Sequence, residues 1–296
     1  MSGRSFSAAG PPAAHEVRWM FHSTAMVPDY DRAVGALRDL FGLAVLEYGE
    51  SSEPGIGRRG GMAWLGDNAI EIGQPVVEGG AAQFVARHGG GMHSVAVQVR
   101  DLAATVAHLE AAGVRIAARP RPEMCFTDPR DTGGVFLQWS TFELAEDPRF
   151  GAAVPPVGAD PPVPVRTHAF VGALVEDPPR CARHLAELLA TAVTFVEPGA
   201  PAGAPVAGVS LGDCTLALYA LSGPDTLAAW GRAYDRPRTH LLALGVDDLT
   251  AARRALTGAG VAVVRSDEDV VVLEPATTGG VQVALTGRLL PGDPRA

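Results

Sequence analysis

The sequence predicts an α+β fold built from four copies of one βαβββ unit, and two observations carry that expectation: an internal repeat, and the order of hydrophobic periods inside each copy. The segment "VQVRDLAATVAHLEAAGVRI" returns as "LGVDDLTAARRALTGAGVAV", an offset of 147 residues from Asp101 to Asp248. "WLGDN" pairs with "SLGDC" and "DTGGV" with "TTGGV" at 146, and "MVPD" pairs with "LVED" at 148. Offsets that agree this closely leave almost no room for insertions, so the two halves share one architecture. Each half is itself doubled, since Val27-Pro28-Asp29 recurs as Val99-Arg100-Asp101 after 72 residues.

Each copy opens with a period-two apolar run such as Val95-Ala96-Val97-Gln98-Val99, which reads as a strand. An Asp follows as helix N-cap, then an amphipathic stretch such as "LAATVAHLEAAGV", with a Gly near its end to stop the helix. Short alternating runs broken by Gly, Pro and Asp come next, as in "MAWLGDNAIEIG", and read as antiparallel strands. The expected organisation is a flexible tail over 1–14, a first module over 15–145, a Pro-rich linker over 146–164 and a second module over 165–290.

Composition narrows the function. With 47% hydrophobic residues, 19% charged residues and a net charge of −9, the chain can bury full cores but offers no basic patch for nucleic acid. Apolar runs are interrupted too early to span a membrane, and residues 1–14 lack the apolar core of an export signal. Cys125, Cys181 and Cys214 form neither a disulfide framework nor a zinc ribbon, so a reducing cytoplasm is expected. The glycines of "GIGRRGGM" fit no phosphate-binding fingerprint, and its Arg58 and Arg59 read as an exposed turn or as a clamp for a substrate carboxylate.

A paired βαβββ unit with His in a first strand and a carboxylate in a last strand resembles the vicinal oxygen chelate superfamily, which includes glyoxalases, bleomycin-resistance proteins, extradiol dioxygenases and methylmalonyl-CoA epimerases. The resemblance runs from Val17 to about Leu285, and "GGGMHSVAVQVRDL" and "DPRDTGGVFLQWS" are most similar to the epimerase branch, with Asp128-Pro129 where that branch has His-Pro. It implies tandem glyoxalase-like modules, each a cup-shaped mixed sheet made from two units. It also implies a divalent metal held by His22 and Glu71, with Gln138 and His93 as further ligands and catalytic roles at Glu71 and Gln138. Where the pattern expects a second-unit ligand, Ser94 stands with His93 beside it, and Gln138 replaces a Glu; its amide cannot act as a general base.

Strand parity sends His22, Thr24 and Met26 into the cup and Phe21, Ala25 and Val27 toward the helices. The same rule puts His93 with Val95, Val97 and Val99 on the helix side unless a bulge rotates it inward, and its repeat counterpart His240 favours a structural role. The C-terminal equivalents of the four site positions are Phe170, Ala217, Leu241 and Ala284, none able to coordinate a metal. Three functions follow from the resemblance: a metal-dependent isomerase, epimerase or lyase acting through an enediolate or enolate; a metal-free protein sequestering an aromatic or antibiotic-like ligand; and a ring-cleaving dioxygenase. Each takes a small-molecule partner, as a monomer or homodimer, and the dioxygenase needs two His and a carboxylate in the module that here has none.

Overall fold

The computed structural model describes residues 15–53, 56–66, 68–152, 160–201, 203–221, 229–231 and 234–296; the tail 1–14 and residues 153–159 of the Pro-rich stretch lie outside the described residues. The first module runs β1 (Val17–Met26), α1 (Tyr30–Phe41), β2 (Val45–Ser51), β3 (Arg58–Leu65), β4 (Asn68–Pro75), α2 (Gly80–His88), β5 (Gly91–Val99), α3 (Leu102–Ala111), β6 (Ile116–Arg121), β7 (Met124–Thr127) and β8 (Leu137–Ser140). The second repeats the plan with β9 (Thr167–Val175), α4 (Pro178–Leu189), β10 (Val193–Val196), β11 (Ala207–Ser210), β12 (Thr215–Ala220), β13 (Arg238–Gly245), α5 (Leu249–Gly258), β14 (Val263–Ser266), β15 (Val270–Leu273) and β16 (Val283–Thr286). The α+β expectation holds: there are two eight-stranded mixed sheets of identical topology, β2-β3-β4-β1-β5-β8-β7-β6 and β10-β11-β12-β9-β13-β16-β15-β14.

The repeated Asp residues act as read from the sequence. Asp29, Asp101, Asp177 and Asp248 each accept the backbone N–H three residues on, at 2.9–3.0 Å, and so start α1, α3, α4 and α5 at the same point of each unit. Helices α1, α3, α4 and α5 lie between the two sheets, where one core joins Val95, Val97 and Trp139 of the second unit to Val171, Leu185 and Leu216 of the third. A second core joins Leu37, Ile70 and Ile72 of the first unit to Leu242, Leu256 and Val283 of the fourth. Each module thus buries the helix face of the other, and each keeps its concave face turned away from these cores.

Two bulges bend the central strands, and one device secures both. The β1–β5 register shifts at Phe21 and the β9–β13 register shifts at Ala169, which leaves carbonyls outside the ladder. Arg149 donates to the carbonyls of Met20 (3.0 Å) and Phe21 (3.4 Å), and Arg295 to those of His168 (2.8 Å) and Ala169 (2.5 Å). Each Arg is itself held by the Asp two residues before it, Asp147 or Asp293.

Between the modules, the Ser23 hydroxyl meets His168 Nε2 at 3.0 Å in a fully buried contact. Burial, then the charge of Arg295, drives the His168 imidazole down to about 3. A folded value this far below the unfolded 6.5 means that in the window between them the unfolded chain takes up a proton the folded chain refuses. The contribution is therefore complete above pH 6.5 and is lost as pH falls toward 3. Urea unfolding is expected to show stability falling below pH 6.5 with a share from this group of roughly 1.4 kcal/mol per pH unit, which His168→Gln removes. An unchanged slope in the variant would refute it.

Candidate ligand site in the N-terminal cup

Alternation along β3 places Arg58, Met62 and Trp64 on the concave face, while Ala63 and Leu65 enter the helix-side core and the Arg59 guanidinium lies 4.5 Å over the Tyr30 ring. On β4, Ile70 and Ile72 enter the same helix-side core, so Glu71 points the other way, opposite Met62 on β3 and Thr24 on β1. Glu71 is buried and is met there by Arg58, whose Nη2 and Nε (3.1 Å) both donate to Oε1. The Tyr48 hydroxyl donates to the same oxygen at 2.6 Å, and the Thr24 hydroxyl donates to Oε2 at 3.1 Å.

Glycines and a bulge make this arrangement possible. A side chain at Gly60 would meet the Tyr48 ring 2.8 Å away, and one at Gly73 would meet Arg58 Cδ at 2.9 Å. Tyr48 is the extra residue where the β2–β3 register shifts between Glu47 and Gly49. Arg58, read from the sequence as half of an exposed arginine turn, instead crosses the cup, because strand β3 already begins at that residue.

Burial alone would oppose ionisation of Glu71, but the Arg58 guanidinium and the Tyr48 hydroxyl hold its carboxyl at about 2. The pairing pushes Arg58 up in turn, chiefly through the Glu71 charge. Burial of its hydroxyl end and then the same charge push Tyr48 well above its ordinary value, so it stays protonated. His22 Nδ1 lies 3.1 Å from Thr24 Oγ1 and 3.9 Å from Glu71 Oε2. Burial lowers its pKa despite the carboxylate nearby, so its imidazole is neutral at pH 7.

A cavity of about 460 Å³ opens over these groups. His22, Tyr48, Arg58, Glu71 and Gln138 gather at one polar end, Phe21, Met62, Met124, Phe126 and Phe142 are among its apolar walls, and Glu47, Ser51, Arg121 and Glu146 also line it. Phe21, expected to face the helices, is turned into the cavity because it is the bulged residue of β1. Gln138 lies in one cross-strand row with Ala96 and His22. His93 is likewise turned by a bulge, where Ser94 pairs with Thr24 but Met92 pairs with Ala25. It leaves the helix side and packs edge-on against Phe84 (4.9 Å) and Phe136 (5.1 Å), with Ser94 Oγ 3.3 Å from its Nδ1.

These residues do not fit the divalent metal that the resemblance implies. His22 and Glu71 converge, but among the described residues no group of three or more His, Cys, Asp or Glu side chains gathers to hold a metal. His93 is engaged by aromatic rings, Gln138 offers only an amide, and both oxygens of Glu71 accept from protein donors. Above all, a guanidinium already supplies the positive charge at the carboxylate, and a metal ion there would meet its repulsion.

In the second cup, apolar side chains hold the equivalent positions. Phe170, Ala217, Leu241 and Ala284 lie in one buried cluster with Tyr219 and Trp230, and His240 packs against both aromatic rings at 5.4 and 4.5 Å. Like His93, His240 occupies a register shift, here between Thr239 and Leu241.

Two eight-stranded sheets of this topology, each doubled from βαβββ units and together enclosing the helices, define a tandem glyoxalase-like protein. Residues 21–127, within the first module, match the family described as the Glyoxalase/Bleomycin resistance protein/Dioxygenase superfamily, so the chain carries a domain of this vicinal oxygen chelate superfamily. A mutant 4-hydroxymandelate synthase from Streptomyces coelicolor shares the fold with a TM-score of 0.64 and 17% identity, over 94% of this chain and 95% of its own. A xylose isomerase-like TIM barrel/4-hydroxyphenylpyruvate dioxygenase fusion protein aligns with a TM-score of 0.59 and 15% identity over 95% of this chain and 50% of its own. Methylmalonyl-CoA epimerase from Mycobacterium tuberculosis aligns over 44% of this chain and 91% of its own, with 25% identity and a TM-score of 0.39. No curated protein matches in sequence. Members of the superfamily bind small-molecule substrates and commonly hold a divalent metal.

Removing one partner of the buried pair strands the other. Glu71→Gln is expected to cost about 3 kcal/mol in urea unfolding, and adding Arg58→Met is expected to restore most of it. A Glu71→Gln cost below about 0.5 kcal/mol would show that this pair does not organise the cup.

Proposed function

We propose that the N-terminal cup is a metal-independent small-molecule site that takes a largely aromatic or apolar ligand, and that the chain works by binding such molecules. The observation that carries this reading is the Arg58 guanidinium seated on Glu71, where the superfamily pattern would place a metal. The cavity supports it: about 460 Å³ is within the size of a small-molecule site, and apolar walls closing on a few convergent polar groups are the usual makeup of one. The second module supports it as scaffold, since its cup shows no comparable buried carboxylate and guanidinium among the described residues and its helix face completes both cores. The isomerase, lyase and dioxygenase alternatives all call for a donor set that His22 and Glu71 do not complete among the described residues.

Residence in a reducing cytoplasm is part of the same proposal. It is supported by three buried, unpaired cysteines; no helix among the described residues is long and apolar enough to cross a membrane.

Protein purified without chelators is expected to contain substoichiometric divalent metal, and added Zn²⁺ or Mn²⁺ is expected to leave the thermal midpoint unchanged. The neutral fluorophore N-phenyl-1-naphthylamine is expected to bind with or without chelator, and Met62→Trp, which fills the cavity floor, to weaken it by about tenfold or more. Stoichiometric metal whose removal abolishes probe binding would overturn the proposal.

A further inference from the structure

We infer that His22 presents an unprotonated Nε2 to the cavity, and that the ligand of this site carries a hydroxyl or N–H donor on an aromatic body. The inference rests on reading the N-terminal cup as a small-molecule site and adds the chemistry of the group recognised there. It follows from counting hydrogens.

Glu71 is ionised against Arg58 and can only accept. Thr24 has a single hydroxyl hydrogen, and it is given to Glu71 Oε2 at 3.1 Å. The contact of 3.1 Å between Thr24 Oγ1 and His22 Nδ1 therefore needs its hydrogen from the imidazole. Neutral imidazole has one N–H, so with Nδ1 protonated, Nε2 bears a lone pair. His22 is only 4% exposed, and among the described residues Nε2 has no hydrogen-bond partner. It is also absent from the polar atoms sealed away from solvent without a partner, and its residue lines the cavity, so the lone pair opens into that space.

The neighbouring polar groups, unlike this acceptor, are paired within the protein. Nε and Nη2 of Arg58 donate to Glu71, Nη1 donates to the Ile56 carbonyl at 2.9 Å, and the Tyr48 hydroxyl donates to Glu71. Each nitrogen of Arg58 and the Tyr48 hydroxyl thus already gives a hydrogen to a protein oxygen, whereas His22 Nε2 has none to accept. Gln138, in the same row as His22, offers both an N–H and a carbonyl and so adapts to either kind of ligand group. A ligand with acceptors alone would leave Nε2 buried and unsatisfied, whereas one with a hydroxyl or N–H would satisfy it. Phe21, Phe126 and Phe142 in the walls suit an aromatic body behind that donor.

Two measurements test this. In the first, 2-naphthol and 2-methoxynaphthalene, which differ at the donor, are titrated against N-phenyl-1-naphthylamine bound to the full chain. A preference for 2-naphthol of about tenfold or more is expected, falling to near unity in His22→Phe. Equal affinities for the wild type would overturn the inference while leaving the small-molecule reading intact. Failure of all three aromatic probes to bind would overturn both. In the second, ¹⁵N NMR of the imidazoles is expected to show His22 protonated at Nδ1 in the wild type and the tautomer balance moved toward Nε2–H in Thr24→Val. A wild-type His22 protonated at Nε2 overturns the inference whether or not the variants fold.

Discussion

A carboxylate buried on the concave face of a sheet must be neutralised, and in this chain a guanidinium does it. Glu71 is only 3% exposed, and an isolated carboxylate at such a place would be protonated or would unfold its surroundings. Meeting it with Arg58 requires the long side chain to cross the cup from β3, and that in turn requires empty volume in its path. Gly73 provides the space beside Arg58, and Gly60 the space into which Tyr48 leans. The remaining acceptor capacity of the carboxylate orders Thr24, and Thr24 orders His22. The polar end of the cavity is thus one chain of dependencies that begins at a single buried charge.

Geometry at the backbone level decides which side chains can take part. In a regular strand, residues alternate strictly, so a one-residue bulge exchanges faces for whatever it inserts. Two such insertions, Phe21 and His93, put side chains on the concave face that regular alternation would not. The bulge at Phe21 leaves carbonyls that no strand can satisfy, and Arg149 fills them from the far side of the chain. A segment that connects modules therefore also fixes the strand carrying His22.

The repeat, the order of elements and the Asp caps were legible because each depends on local pattern, which survives in a single sequence. Likewise the apolar character of the second cup could be read from Phe170, Ala217, Leu241 and Ala284, since a side chain without donor atoms cannot coordinate. What parity alone could not give was the facing of Phe21 and His93, because a bulge is set by pairing with a neighbouring strand and leaves no local trace. Arg58 was missed for a related reason: whether a glycine-flanked arginine ends a turn or begins a strand depends on its partners on β2 and β4. One signal was present and unused. Asp-Pro-Arg occurs at 147–149 and again at 293–295, at the same 146-residue spacing as the other repeat anchors, and these are the two clamps on the bulged strands.

The two cups differ in what occupies equivalent positions. Cross-strand register makes the equivalence explicit: Thr24 pairs with Glu71 as Gly172 pairs with Ala217, and Met26 pairs with Gly73 as Leu174 pairs with Tyr219. In the first module the small residue is Gly73, and the space it leaves admits Arg58 to a carboxylate. In the second the small residues are Gly172 and Ala217, and a side chain at Gly172 would meet Leu241 and Tyr219 within 3 Å. With no charge to neutralise, that volume is taken by aromatic rings, Tyr219 and Trp230 closing over His240. Phe84, at the position of Trp230 in the repeat, stays half-buried at the rim beneath the Arg238 guanidinium, 4.7 Å away, and the first cup keeps its cavity. A duplicated fold has in this way separated two tasks: one concave face retains polar groups whose mutual pairing frames a cavity, and the other carries at the equivalent positions an apolar cluster that adds buried surface.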